Sequence, residues 1–442
     1  MTDPCRFDDG IPRLLTALAT QLAPEQISAG VVLRDAAGCL SFFSSQELSP
    51  EHRDALESLL RAHLGAYARP DRVLVGPDDP GAQRMLNDPY ALELTGNDTR
   101  QRFRYLDRRI VGSDWMRQPS PTPTAADTPN GARAARRVAF ASLKGGVGRS
   151  TALTIVAAEQ ARKGRNVLVI DLDLEAPGIG SLLLSEDRMP QFGVIDFLVE
   201  RNFGSVDRAV VDDMIGTSAL TQGQGLVDVV PAIGTRTLEQ PANYLAKLSR
   251  AMIEAVPEQG PPSSLADKLH DMLTALEAVR RYDLVLLDVR AGLAEVTAGP
   301  LLSLETEVLI FGADQRQTIQ DLRFLLAHLG SLTGDSNPDE WSRLKMVHAK
   351  ATASRVAGFR DDVWNLFASY LYVEAVALEQ FNFDADAIEA PHYPLVIPLD
   401  TAFADWDPVS HPDKLVESFY AHTFDSLLRY VDEVLLEAGD AV

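Results

Sequence analysis

RRVAFASLKGGVGRSTALTIVAAEQARKGRNVLVIDLDLE, residues 136–175, decides how the rest of the chain is read. It divides into strand, glycine loop, helix and strand. Val138, Phe140 and the alanines beside them form a short apolar run suited to a buried strand. Lys144-Gly145-Gly146-Val147-Gly148-Arg149-Ser150-Thr151 follows at once, then an alanine-rich helix that Gly164 can end in a left-handed cap. Asn166 to Ile170 reads as a second buried strand, with Asp171 and Asp173 at its C-terminal end. Glycines let the loop backbone curl so that successive amides point inward, and the following helix adds its positive N-terminal end. Such a nest holds the phosphates of a nucleotide, and the Ser150 hydroxyl just after it is placed to coordinate Mg2+.

The pattern G-x-x-x-x-G-K-[ST] is met only in part. Gly148 and Ser150 fit, but Leu143 stands where the first glycine belongs and Arg149 where the lysine belongs. The variant K-G-G-x-G-K-[ST]-T fits better, through Lys144, Gly145, Gly146, Gly148, Ser150 and Thr151. This stretch resembles the MinD/ParA family of deviant Walker A P-loop ATPases, and the resemblance runs over about residues 136–405. It implies ATP and Mg2+ as cofactors and a homodimer formed on ATP binding.

The resemblance also implies roles. The amides of Gly145, Gly146, Val147, Gly148 and Arg149 would hold the β-phosphate, Ser150 the Mg2+ and Thr151 the α-phosphate. Asp288, which ends the apolar run YDLVLLDV at 282–289, takes the Walker B position. Asp171 would sit near the metal, and Asp173 would orient the attacking water. Gly292 matches the switch glycine whose amide senses the γ-phosphate. Lys144 is the signature lysine that reaches the partner's ATP across a dimer, so the implied catalytic set is Lys144, Asp173 and Arg149. Three positions depart from the family. Arg149 replaces a compact ammonium with a wide planar fork, from which slow hydrolysis is expected. Arg290 stands where proline is usual, and His348-Ala349-Lys350 where the family often places an Asn that reads the base.

The remaining chain supplies context. A length of 442 residues allows two or three domains, and 46% hydrophobic with 24% charged residues is ordinary for soluble proteins. The net charge of −22 argues against a surface coated for DNA or acidic membranes. Cys5 and Cys39 are not spaced as a metal pair, and no cysteine follows the glycine loop, which counts against an iron–sulfur carrier. The N-terminus MTDPCRFDDG has no apolar signal core and no run of about 18 apolar residues occurs, so the expectation is a cytoplasmic protein with no membrane partner.

Residues 1–116 read as a separate small α/β domain of unreadable role. Strands are expected at 30–34, 40–44, 72–75 and 102–110, with a helix opened by Ser49-Pro50 and running to about Leu64. His52 and His63 read as surface residues of that helix. Residues 117–135, rich in Pro and Thr, form a linker by composition. Residues 136–442 then form the ATPase domain. Strands at 282–289, 307–313, 344–348 and 394–398 alternate with helices, which predicts a doubly wound, mostly parallel sheet. Residues 235–280 read as mostly helical, broken at Gly260-Pro261-Pro262. A last helix over about 413–437 carries Val416, Phe419, Leu427, Leu428, Val431, Val434 and Leu435, and from Asp413 onward seven acids stand against Lys414 and Arg429. That sign is wrong for an anionic membrane and predicts a helix docked on the sheet.

The expected function is an ATP-dependent dimerisation switch with slow Mg-ATPase activity. It would regulate an unknown protein partner through the N-terminal domain, and a multi-gene prokaryotic system such as anti-phage defence is compatible with it. Two alternatives stay open: a DNA-segregation ATPase that binds nucleic acid in the ATP state, and a pseudo-enzyme that keeps ATP as a structural ligand.

Overall fold

A computed structural model describes residues 4–96, 100–109, 111–117, 135–220, 225–255, 262–333, 341–372, 374–375, 380–404 and 406–437. The chain divides into two compact units, Met1–Gln118 and Pro119–Val442. Nearly all of the expected linker, and Gly260-Pro261, lie outside the described residues.

In the first unit, β1 (Val31–Arg34), β2 (Leu40–Phe43), β3 (Leu74–Val75), β4 (Leu92–Thr95) and β5 (Arg102–Asp107) form one sheet in the order β3-β2-β1-β5-β4. β1 and β2 pair antiparallel around a turn in which the Asp35 carboxylate accepts the N–H groups of Ala37 and Cys39, with Gly38 left-handed at φ +90°. The helix at Pro50–Leu64 starts as its sequence requires, with Ser49 Oγ accepting the His52 N–H. A helix at Gly10–Ala19 packs beside it, and Leu14, Leu15, Leu18, Leu56, Leu60 and Leu64 join Val32, Leu40 and Phe42 in one core. That helix and β4 were not expected from sequence. The first carries no acidic residue in its first turn and no side-chain cap, and the second is only four residues long.

The second unit is built on β6 (Arg136–Ser142), β7 (Asn166–Asp171), β8 (Gly216–Thr217), β9 (Leu226–Val230), β10 (Leu284–Ala291), β11 (Glu307–Gly312) and β12 (Leu344–Ala351). A small hairpin of β13 (Glu374–Ala375) and β14 (Gln380–Phe381) precedes β15 (Leu395–Pro398). The large sheet runs β15-β12-β11-β6-β10-β7-β9-β8, and every neighbouring pair is parallel except β8 with β9. The central strands are buried along almost their whole length, which is why they read as unbroken apolar runs rather than alternating ones. The glycine-loop helix, Arg149–Arg162, ends at Gly164, whose φ of +86° lets the N–H of Gly164 and of Arg165 return to the Ala161 and Gln160 carbonyls.

The C-terminal helix, Glu417–Glu437, packs against β15 and the glycine-loop helix. Tyr420, Phe424, Leu427, Leu428, Val431, Val434 and Leu435 enter the sheet's core. Polar contacts fix its register: Tyr420 donates to Glu159 Oε2 at 2.7 Å, and Asp432 pairs with Lys163 at 2.5 Å and Arg165 at 2.9 Å. It is a docking helix, as its acidic balance predicts. Its start is four residues later than expected, because Pro412–Lys414 forms a separate turn, and Val416 is left exposed. No helix among the described residues is long and apolar enough to cross a membrane.

Candidate functional site

The parallel sheet sets the ends of β6, β10 and β7 side by side. Asp288 on β10 stands in register with Phe140 on β6 and with Asp171 on β7. Ligands in such sheets collect at the carboxyl ends of the strands, and the glycine loop leaves β6 at that end. Gly146 and Gly148 are left-handed, at φ +74° and +88°. A Cβ at Gly145, Gly146 or Gly148 would meet nothing within 4 Å, so the loop is open on the side where a ligand would lie.

Two expected site residues meet directly. Ser150 Oγ donates to Asp288 Oδ2 at 2.7 Å. Arg149, buried in the loop's first helical turn, sends its fork inward. Nε donates to Asp288 Oδ1 at 2.6 Å, Nη1 to Ser142 Oγ at 3.1 Å, and Nη2 to Asp173 Oδ2 at 3.5 Å. One guanidinium therefore serves three strand ends at once. Burial pushes the Asp288 carboxyl up, against the downward pull of Arg149 and Ser150.

Asp171 spends its carboxylate on backbone. Oδ1 accepts the Asp173 N–H at 3.0 Å, and Oδ2 accepts those of Gly178 and Ile179 at 3.0 and 3.2 Å. It anchors the segment after β7 while standing beside Asp288. Burial, then the Asp288 charge, raises its carboxyl above the usual range. Asp173 also accepts the Ala176 N–H at 3.2 Å, and Arg290 lies 3.9 Å from it while pairing closely with Glu175. Gly292 is left-handed at φ +93°, and its N–H donates to the Ser142 carbonyl at 2.8 Å. Val147 turns its side chain into the core, leaving its backbone to the loop. Lys144 stands apart from the cluster. Its ammonium pairs with Asp321, on the helix Arg316–Thr333, at 3.0 Å.

A cavity of about 390 Å3 opens beside the loop. Gly146, Gly148 and Thr151 line it from the loop, and Ile397, Pro398, Leu399, Phe403 and Phe424 add apolar lining. Asp400 lines it too, although its oxygens already accept the Ala402 N–H and the Thr423 hydroxyl, each at 2.9 Å. Lys350 lines it and donates to the Gly146 carbonyl at 2.6 Å. His348 does not belong to the lining. It stacks on Phe359 at 4.1 Å, its ring nitrogens have no hydrogen-bond partner among the described residues, and burial lowers its pKa. Sequence reasoning missed Asp321, Lys350 as a loop contact, and the 397–404 wall. Only the last had a local signal, in Pro398 and Asp400 just after an apolar strand.

The chain is similar to known proteins over its second unit. The profile of a family described as an AAA domain matches residues 135–339. The chromosome-partitioning ATPase Soj of Thermus thermophilus is 29% identical over 204 residues, which cover 46% of this chain and 65% of that protein. The chain thus matches just under two thirds of that relative's length. Among solved structures, the MinD cell division protein of Aquifex aeolicus aligns with 17% identity and a TM-score of 0.42, covering 68% of this chain and 97% of that one. The cell division ATPase MinD of Pyrococcus furiosus aligns with 21% identity and a TM-score of 0.42, over 68% and 99%.

Proposed function

We propose that the chain is a P-loop ATPase of the MinD/ParA type that acts as an ATP-dependent dimerisation switch with slow hydrolysis, its first unit serving to engage a protein partner; the profile match over residues 135–339 and the likeness to Soj support the ATPase part of this reading. The observation that carries this reading is the 2.7 Å bond from Ser150 to Asp288 at the mouth of an open glycine loop. Hydroxyl and carboxylate oxygens suit a hard cation, so Ser150 and Asp288 would hold Mg2+, with Asp171 behind them. Bound there, the ion supplies charge neutralisation for the transferring phosphoryl group. The loop amides from Gly145 to Arg149 take the β-phosphate, Thr151 the α-phosphate, and the 390 Å3 cavity the base and sugar. Thr151 lines that cavity and the loop at once, which supports the split.

Asp173 is the residue to orient the attacking water, and Arg149 restrains it. While the guanidinium holds both Asp288 and Asp173, the water-positioning carboxylate is partly committed. Phosphoryl transfer depends on positioning more than on covalent help, so this arrangement favours binding over turnover. Lys144, two-fifths exposed, is available to cross to a partner's nucleotide. Gly292 would exchange its bond to Ser142 for the γ-phosphate.

Calorimetry with MgATP and sedimentation with ATP and with ADP test the switch. Binding in the micromolar range and dimers only with ATP are expected. No heat at millimolar ATP would end the reading. The name of the Thermus thermophilus relative favours a second reading, DNA segregation. A salt-sensitive, ATP-dependent mobility shift with duplex DNA would support it, and the net charge of −22 weighs against it.

A further inference from the structure

We propose that Lys350 is a positioning residue that braces the phosphate loop from a strand outside the motif; this rests on the nucleotide-binding reading above. Side chains alternate along a strand, so Lys350 would by default share a face with His348. His348 is turned into the core against Phe359. The pairing of β12 with β15 slips between His348 and Ala351, and within that slip Lys350 takes a φ of +53°. Left-handed backbone is unfavourable for any residue with a Cβ and persists where the surroundings hold it. Here it frees Lys350 from the alternation and sends its ammonium to the Gly146 carbonyl, at 2.6 Å and 204 residues away in sequence.

The contact has a direct effect on the loop. Gly146 is itself left-handed, at φ +74°. In a planar trans peptide the carbonyl of one residue and the N–H of the next point in opposite directions. Holding the Gly146 carbonyl toward Lys350 therefore turns the Val147 N–H away from Lys350, toward the inner side of the loop. The nest of amides is set before a ligand arrives, and pre-ordering of this kind raises affinity by removing an ordering cost from binding. The ammonium also adds positive charge to a wall it shares with Gly148 and Thr151. Asp400, the acid in the same lining, directs its oxygens to the Ala402 N–H and the Thr423 hydroxyl, whereas the Lys350 ammonium is bonded to the loop. The brace thus acts on the loop proposed to take the polyphosphate, although the side chain itself lines the cavity proposed for base and sugar.

The test is calorimetry on the full chain with MgATP and, separately, with magnesium and inorganic tripolyphosphate. Lys350→Met removes the ammonium. Lys350→Gly removes it while keeping the left-handed backbone free of strain, so it separates a loss of bracing from a loss of folding. Each should weaken both ligands by a similar factor, roughly 10- to 150-fold if the whole of one charge-assisted hydrogen bond is lost. Lys350→Arg should restore most of the affinity. Affinities within twofold of wild type for both ligands would overturn the brace. A loss confined to ATP would also overturn it and make Lys350 a reader of base or sugar. If wild type binds neither ligand, the nucleotide-binding reading itself falls, and the brace with it.

Discussion

Lys144 is held by Asp321 within its own chain, and under the proposed switch that contact would set a threshold for dimerisation that mutation can move in both directions. If Lys144 reaches a partner's nucleotide, it must first leave Asp321, 3.0 Å away. The two side chains are 40% and 29% exposed, so the pair is largely screened by water. Pairs of this kind contribute about 0.2–1 kcal/mol. A two-fold dimer breaks two of them, which opposes association by about 0.4–2 kcal/mol, or roughly 2- to 30-fold in the dimer constant. Asp321→Asn removes that opposition and should strengthen ATP-dependent dimers by that factor. Lys144→Ala removes the contact the dimer needs. At about 1.5–3 kcal/mol per charge-assisted bond, two per dimer, it should weaken association by roughly 10²- to 10⁴-fold. Neither change should alter ATP affinity in the monomer. Sedimentation velocity over a concentration series, with ATP and with ADP, reads all of this. The Asp321→Asn gain should shrink at about 0.5 M salt, where exposed charges are screened over a few ångströms. If Asp321→Asn dimerises like wild type while Lys144→Ala fails, Asp321 is no latch. If Lys144→Ala also dimerises like wild type, Lys144 does not cross the interface at all.

Other outcomes follow from the same geometry. Arg149→Lys should release Asp173 and raise ATP turnover several-fold with little change in affinity; a fall in steady-state turnover would mean the fork itself stabilises the transferring phosphoryl. Asp173→Ala should still bind ATP and accumulate as dimer, and prompt return to monomer after ATP addition would refute its role with the water. Lys345 is buried, donates to the Ile388 and Ala390 carbonyls, and burial lowers its pKa to about 8. Between about pH 8 and 10.4 the unfolded chain then binds the proton that the folded chain has lost, so stability from this group rises with pH across that window. Denaturant melts at pH 7.5 and 9.5 should show wild type gaining on the order of 2 kcal/mol relative to Lys345→Met; parallel pH dependence of the two proteins would show that Lys345 titrates normally. Leu427→Ala, in the core under the C-terminal helix, should cost about 2–5 kcal/mol by thermal or denaturant melts, and a smaller loss would mean the helix is dispensable for the core.

The parts of the molecule that sequence made readable are those whose signal is local. The glycine loop, the buried strands β6, β7, β10, β11 and β12 and the Ser49-Pro50 helix start each carry their evidence within about ten residues. Ser150 and Asp288 could be paired from their motifs alone, although 138 residues separate them. What stayed hidden depends on tertiary approach. Nothing near Asp321 marks it as the partner of Lys144, and nothing near Lys350 shows that a slip in β-pairing turns it onto Gly146. The inward turn of Arg149 was equally illegible. A guanidinium at that position could face phosphates or carboxylates, and only the convergence of β6, β7 and β10 puts Ser142, Asp173 and Asp288 within its reach.

The C-terminal helix also bears on when the protein becomes competent. Thr423 and Phe424 help to wall the cavity beside a loop that ends at Thr151. A ribosome adds about 5–20 residues per second, so the loop emerges roughly 14–55 s before the segment that completes its neighbouring wall. During that interval the amides of the nest exist without the enclosure for base and sugar. Any nucleotide capture that needs this enclosure therefore waits until the helix Glu417–Glu437 has been made and has docked.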